Sequence, residues 1–323
     1  MWLPLKSIHD VIKAISFRDK VCLKCSKILG TSYSIPGWMF RFFSSGKMSH
    51  NLLVTHWWKQ WVLKIDDSEA FKRGIQMETW LQNEWLQVPN ISSSWSTDFF
   101  GKKYYYIVQE YIPWKILDEA EFVSDGQLWE LAKWLWDIHS IKQWSHEGFG
   151  RLGESKNGIK KSFDEYISWI TQKISTNTYF TDSEKTRIEK AISYQKDICS
   201  WKMCEPCLVH WDFHPWNILV SNNVIRIIDF GDVEWGFPER DFATLRTHAW
   251  SRENPDKFMI IQREYEKIHN LDSDMLDLMY LAVWADKFCK RSQRNDARNQ
   301  ALLEDLVLPI LEKIEKKMSS WTE

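Results

Sequence analysis

The sequence predicts an α+β fold in two lobes, on three observations. Alternating apolar runs separated by short polar turns fill residues 42–65 and return at Tyr104–Ile112, as expected of strands. Beyond about residue 114 the apolar positions recur at helical spacing instead. Between the helical stretches one short segment, Cys207 to Asp232 (CLVHWDFHPWNILVSNNVIRIIDFGD), concentrates His, Asp and Asn in a regular spacing. The length agrees, since 323 residues allow about two domains and 44% hydrophobic residues supply a sizeable core.

Composition narrows the function classes. A net charge of −2 argues against a mainly electrostatic nucleic-acid binder. No apolar run approaches the roughly 18 residues of a membrane span, and charges interrupt MWLPLKSIHDVIKAISFRDK too early for a secretory core. A cytoplasmic location with no membrane partner is the expectation. Six cysteines fit a reduced, intracellular set. Cys22-x-x-Cys25 and Cys204-x-x-Cys207 lie too far apart for a compact zinc-ribbon spacing, so buried thiols are expected. Tryptophan is the anomaly, with 21 copies against 12 glycines, where glycine ordinarily makes up about 7% of a chain. Trp57 and Trp58 lie between two strand-like runs where a Gly-Gly turn would suit; Trp114, Trp144, Trp211 and Trp216 also sit in turn-like places. The expectation is that many of these codons are read as glycine in the source organism, because some bacterial lineages reassign a stop codon to glycine and others to tryptophan.

In chain order, residues 1–40 read as an accessory segment with a helix around Ile8–Phe17. SSGKMSHNLLV supplies a turn running into a strand, and KQWVLKI a second strand carrying Lys64. Asp66-Asp67-Ser68 then caps a helix on which Phe71, Ile75, Leu81 and Trp85 share a face with Glu78. A carboxylate facing a core needs a partner, and Lys64 is the natural one; the alternative is a solvated Glu78 on a slightly rotated helix. Gln87-Val88-Pro89 ends the helix, residues 91–103 read as a polar connection, and Pro113 stops the buried strand Tyr104–Ile112. Helices follow at Asp125–Ile141, 160–176 and 183–200, with Gly148–Gly153 as a loop. Val224–Ile228 is a short strand, and further helices cover Met275–Lys290 and Ala301–Lys317. Asp274, Asp277 and Asp286 could attract a cationic ligand or simply be solvated helix faces, and Tyr280 or Trp284 could form an aromatic cage.

The chemistry lies in His210, Asp212 and Asn217, which reproduce the H-x-D-x-x-x-x-N spacing of a kinase-type catalytic loop, with Asp229-Phe230-Gly231 twelve residues after Asn217. Phosphoryl transfer needs a carboxylate beside the attacking hydroxyl, suited to Asp212, and oxygen ligands for magnesium, suited to Asn217 and Asp229. The plainer reading makes His210, Asp212 and Asn217 ordinary turn residues. Pro238-Glu239 arrives only about seven residues after Gly231, too soon for the activation segment on which protein kinases dock a polypeptide, so a small acceptor is favoured.

HWDFHPWN…IDFGD…WGFPERDFA resembles the HGDFHPGN…IDFGD…GDPxxDLA pattern of the aminoglycoside phosphotransferase and choline kinase-like family of small-molecule kinases. The resemblance is densest over residues 208–245 and traceable back to about residue 42; Trp211 and Trp216 stand where the family has glycine. It implies a two-lobed protein-kinase-like fold, with a small antiparallel-sheet nucleotide-binding lobe at 1–113 and a mostly helical lobe at 114–323 holding the catalytic loop and acceptor site. It also implies ATP and Mg2+ as cofactors, and transfer to a hydroxyl of a small molecule such as an aminoglycoside, choline or an amino-sugar-like metabolite. By the same resemblance the loop with Ser45 and Gly46 covers the phosphates, Lys64 and Glu78 steady them, and Gln109, Glu110 and Ile112 line the adenine site. His210, His214 and Asp241 orient the catalytic loop, while Asp232 and Glu234 face substrate. The competing readings are a catalytically impaired nucleotide-binding pseudokinase, if Trp211 and Trp216 crowd the loop, and an atypical protein kinase.

Overall fold

The computed structural model describes residues 32–35, 38–42, 50–56, 59–84, 86, 88–99, 102–111, 113–120, 123–142, 147–152, 156–176, 180–201, 205–221, 224–290 and 303–320. The helix expected at Ile8–Phe17, Ser45, Gly46, Trp57, Trp58, Ile112, Trp144 and three of the paired cysteines (Cys22, Cys25, Cys204) lie outside them. The chain divides into two compact units, Met1–Trp114 with Arg226–Gly231, and Lys115–Ile225 with Asp232–Glu323.

The first unit is built on an antiparallel sheet of β1 (Ser32–Ile35), β2 (Trp38–Phe42), β3 (His50–His56), β4 (Lys59–Asp66), β5 (Ile91–Phe99) and β6 (Lys102–Glu110), in the order β1-β2-β3-β4-β6-β5. Strand β6, flanked on both sides, buries Tyr105, Tyr106, Ile107 and Val108 in succession. The polar stretch expected as a connection is strand β5. It takes the sheet edge, where backbone pairing to β6 carries it and serines can face water. Helix α1 (Glu69–Asn83) begins where Ser68 Oγ accepts the Phe71 N–H at 3.2 Å, and it buries Gly74, Met77, Glu78 and Leu81. Gly74 reaches the returning segment 226–231, where a Cβ would stand 3.3 Å from both the Cα and the N of Gly231.

The second unit has a small antiparallel sheet of β8 (Phe149–Leu152), β9 (Gly158–Lys160), β10 (Cys207–Val209) and β13 (Glu234–Gly236), ordered β10-β13-β8-β9. Strand β7 (Lys115–Ile116) pairs with β11 (Ile218–Ser221), and β12 (Val224–Ile227) carries the chain back toward the first unit. The expected loop at Gly148–Gly153 thus contains β8. Among the described residues its α-helices are α2 (Asp125–His139), α3 (Phe163–Ser175), α4 (Asp182–Trp201), α5 (Glu239–Arg246), α6 (Ala249–Glu253), α7 (Pro255–Glu266), α8 (Ser273–Lys290) and α9 (Leu308–Ser320). Helix α8 is apolar on most sides and packs against α3, α4 and α5 at the centre of the core.

That position corrects the aromatic-cage expectation. Trp284 is 1% exposed with its ring against Phe180, and Tyr280 is buried, so both are core. The α8 carboxylates are engaged internally: Asp286 with Lys173, Asp274 with Lys317, and Asp277 with Lys313 at 2.6 Å. Buried carboxylates need such partners, which the lysines of α3 and α9 supply. Among the described residues no helix is long and apolar enough to cross a membrane.

Candidate active site

In the second unit, β10 ends at His210 and the chain turns through Asp212 to a short 3-10 turn, Pro215–Asn217, that starts β11. This loop is bonded from within: the Asp212 N–H donates to the His210 carbonyl and the Asn217 N–H to the His214 carbonyl, both at 2.9 Å. Phe213 anchors it, fully buried with its ring stacked 6.0 Å from Trp134 of α2.

Asp241 of α5 holds the loop from behind. One carboxylate oxygen accepts the His210 N–H and the other the Trp211 N–H, each at 2.8 Å. The first oxygen also meets His139 Nε2 at 3.1 Å, and His139 Nδ1 lies 2.9 Å from the Tyr265 hydroxyl. Burial holds the His139 pKa below its ordinary value, against the pull of Asp241. The neutral ring therefore donates from Nε2 and accepts at Nδ1. His139 is thus a buried strut between α2, α5 and α7.

The Asp212 side chain remains 42% exposed. Its Oδ2 lies 3.2 Å from His214 Nε2, and the Asn217 amide donates to the Asp212 carbonyl at 3.0 Å. Among the described residues the buried His214 Nδ1 has no hydrogen-bond partner, which fits an imidazole that orients the carboxylate through Nε2. Spending the Asn217 amide nitrogen on the loop leaves its amide oxygen for a ligand. Asp232 pairs with Arg151 at 2.7 Å. Glu234 is buried, and burial pushes its carboxyl up to about 8 despite the nearby Arg240. Cys207 is a buried thiol whose pKa burial raises.

Trp211 occupies left-handed backbone, φ 69, at a cost of about 1–2 kcal/mol for an L-residue. Trp216 does not. It lies in the 3-10 turn, 45% exposed, and its Nε1 donates to Asp118 at 2.8 Å.

In the first unit, Lys64 sits in β4 opposite Asn51 and Ile107. Glu78 of α1 is 4% exposed and its carboxyl is raised, by burial first and then by the Asp229 charge. The Lys64 charge, a Gln109 hydrogen bond and a backbone hydrogen bond from Asp229 pull it back. The Gln109 side chain donates to Glu78 Oε2, a pairing the sequence did not suggest. Glu110 is exposed at the end of β6, its N–H donating to the Asn90 carbonyl at 3.0 Å. Asp229 is exposed and also left-handed, φ 69, a conformation Asp tolerates better than most residues.

The sequence pattern of the phosphotransferase enzyme family (APH) matches residues 40–274. No curated protein matches the chain by sequence. Among solved structures, aminoglycoside phosphotransferase APH(4)-Ia shares 16% identity, with 93% of this chain and 97% of that one covered and a TM-score of 0.62. Spectinomycin phosphotransferase APH(9)-Ia, solved with ADP and spectinomycin, shares 17% over 92% and 98%, TM-score 0.57. A microcompartment-associated aminopropanol kinase shares 14% over 93% and 98%, TM-score 0.62. The common feature at this distance is the α+β protein-kinase-like fold.

Proposed function

The chain belongs to the phosphotransferase enzyme family, and from that premise we propose that it moves the terminal phosphoryl group of ATP to a hydroxyl of a small molecule. The observation that carries this reading is Asp212, a half-exposed carboxylate presented by a loop whose backbone is bonded from within and from behind. Asp212 accepts the proton of the acceptor hydroxyl and aims it, and His214 holds the Asp212 carboxylate. Lys64, steadied by Glu78, contacts the phosphates. By the family resemblance Ser45 and Gly46 are assigned to the phosphates, and Gln109 and Glu110 at the end of β6, with Ile112 after them in sequence, to the adenine.

The donor chemistry of the proposed ligands suits magnesium. Among the described residues no three His, Cys, Asp or Glu side chains are grouped to hold a metal on their own. Asn217 and Asp229 supply an amide and a carboxylate oxygen, the hard donors of an ion that completes its shell with phosphate oxygens and water. Bound there, Mg2+ would offset the charge of the phosphate oxygens.

The acceptor proposed is an amine-bearing alcohol such as an aminoglycoside, choline or an amino-sugar-like metabolite, met in the cytoplasm. The similarity to an aminoglycoside phosphotransferase and an aminopropanol kinase supports that class, and the short segment from Gly231 to α5 leaves little for a peptide to dock on. Strain at Trp211 favours one second reading, a nucleotide-binding chain with little turnover. Coupled ADP-release assays with Mg2+-ATP and a panel of aminoglycosides, choline, amino sugars and amino alcohols decide between them. Acceptor-dependent ADP release supports the kinase; binding of ATP analogue with no turnover on any acceptor supports the silent module.

A further inference from the structure

We infer that the working enzyme carries glycine at position 211, and that the indole written there in this sequence holds Arg240 away from Glu234. The left-handed turn at 211 is imposed from outside. Its N–H donates to Asp241 Oδ1 at 2.8 Å, and its carbonyl shares the Thr244 hydroxyl, 3.2 Å away, with the Arg240 carbonyl at 3.0 Å, so α5 holds the residue through backbone atoms whatever its side chain. Only glycine adopts that backbone freely.

The ring then has to go somewhere, and it lies under a buried cation. Arg240 Cζ stands 3.5 Å from the Trp211 ring centroid, with Tyr166 and Trp169 at the ring's other edges, 6.3 and 6.0 Å away. Around it four buried polar atoms have no hydrogen-bond partner among the described residues: Arg240 Nε and Nη1, Glu234 Oε2 and the Tyr166 hydroxyl oxygen. Buried charges are ordinarily paired, and here a guanidinium whose charge acts on Glu234 makes no hydrogen bond to it. With a hydrogen in place of the indole, Arg240 loses its platform and can close on Glu234 and Tyr166, which satisfies the group together. Composition points the same way, with 21 tryptophans against 12 glycines, as a stop codon decoded as glycine in the organism would produce when translated as tryptophan. Trp216 lacks a left-handed backbone and has its own hydrogen bond, so of the two tryptophans in this loop the demand falls on 211.

The test compares the present chain with W211G and W211A, and reads the codon at 211. W211G is expected to melt about 2 °C or more higher, and W211A, which drops the ring but keeps the strained Cβ, to gain less. A double-mutant cycle with R240M and E234Q should show stronger coupling in the W211G background than in the parent. The codon should be UGA. A genuine tryptophan predicts the opposite sign, because deleting a ring packed on Tyr166, Trp169 and Arg240 lowers the melting temperature. A UGG codon, or a W211G chain that melts no higher than its parent, overturns the inference. These readouts need no acceptor, so failure of the proposed kinase activity would leave them decisive.

Discussion

Gly74 and Gly231 lie backbone against backbone, with room for hydrogen and for little else between α1 and the segment that follows Asp229. Glu78 is one helical turn beyond Gly74 on the same face, and the Asp229 backbone bonded to it lies two residues before Gly231. The glycine pair therefore sets how closely the helix bearing Glu78 approaches the Asp-Phe-Gly backbone.

G74V should push the two apart and destabilise the first unit by about 1–3 kcal/mol, with a matching loss of ATP-analogue affinity. Calorimetric titration with a non-hydrolysable ATP analogue checks it. Unchanged affinity would mean the contact does not position the nucleotide groups.

Replacing Asp212 by Ala should lower turnover by about 10²–10⁴-fold while leaving nucleotide affinity within a few-fold, because the loop's internal bonds run through backbone atoms. Retained turnover would refute Asp212 as the acceptor-side base.

D241A removes the acceptor of two backbone N–H groups and of His139 at a fully buried position. The expected loss is about 3–5 kcal/mol. D241N keeps one acceptor oxygen and should fall between it and the parent. Urea denaturation of the three chains gives the order, and turnover should follow the same order if Asp241 acts by shaping the loop.

Glu239 is buried in α5, accepts the Asp272 N–H at 2.8 Å, and is pushed up by burial to about 7. A carboxyl raised in the folded state binds more protons folded than unfolded between the two pKa values, so its contribution is complete below about 4.5 and is lost as the pH climbs to about 7. E239Q keeps an oxygen for Asp272 and removes the titration. It should match the parent near pH 5 and melt higher at pH 8; thermal melts across that range decide it, and parallel curves would sink it.

The turn at 210–217 was legible because its signal is local: His210, Asp212 and Asn217 are spaced along one stretch, which the structure bonds into a single loop. The Ser68 cap was legible for the same reason. Strand β5 was not, since an edge strand is held by backbone bonds that leave no apolar trace in SSSWSTD. Pairings across long separations were also hidden. Lys64 was chosen for Glu78 and its charge does act there, but the side chain bonded to Glu78 is Gln109, 31 residues on. His139 meets its partners 102 and 126 residues away. Nothing in the α8 sequence announces that its carboxylates face lysines of α3 and α9 rather than water.

The first unit recovers residues 226–231 more than a hundred positions after its main run ends at Trp114. During translation at about 5–20 residues per second, the ribosome holds this module unfinished for roughly 5–20 s, its buried glutamate still lacking the Asp229 backbone. A fragment cut at residue 114 inherits the same gap permanently, so such a piece should behave as a chaperone client rather than as a transplantable nucleotide-binding module.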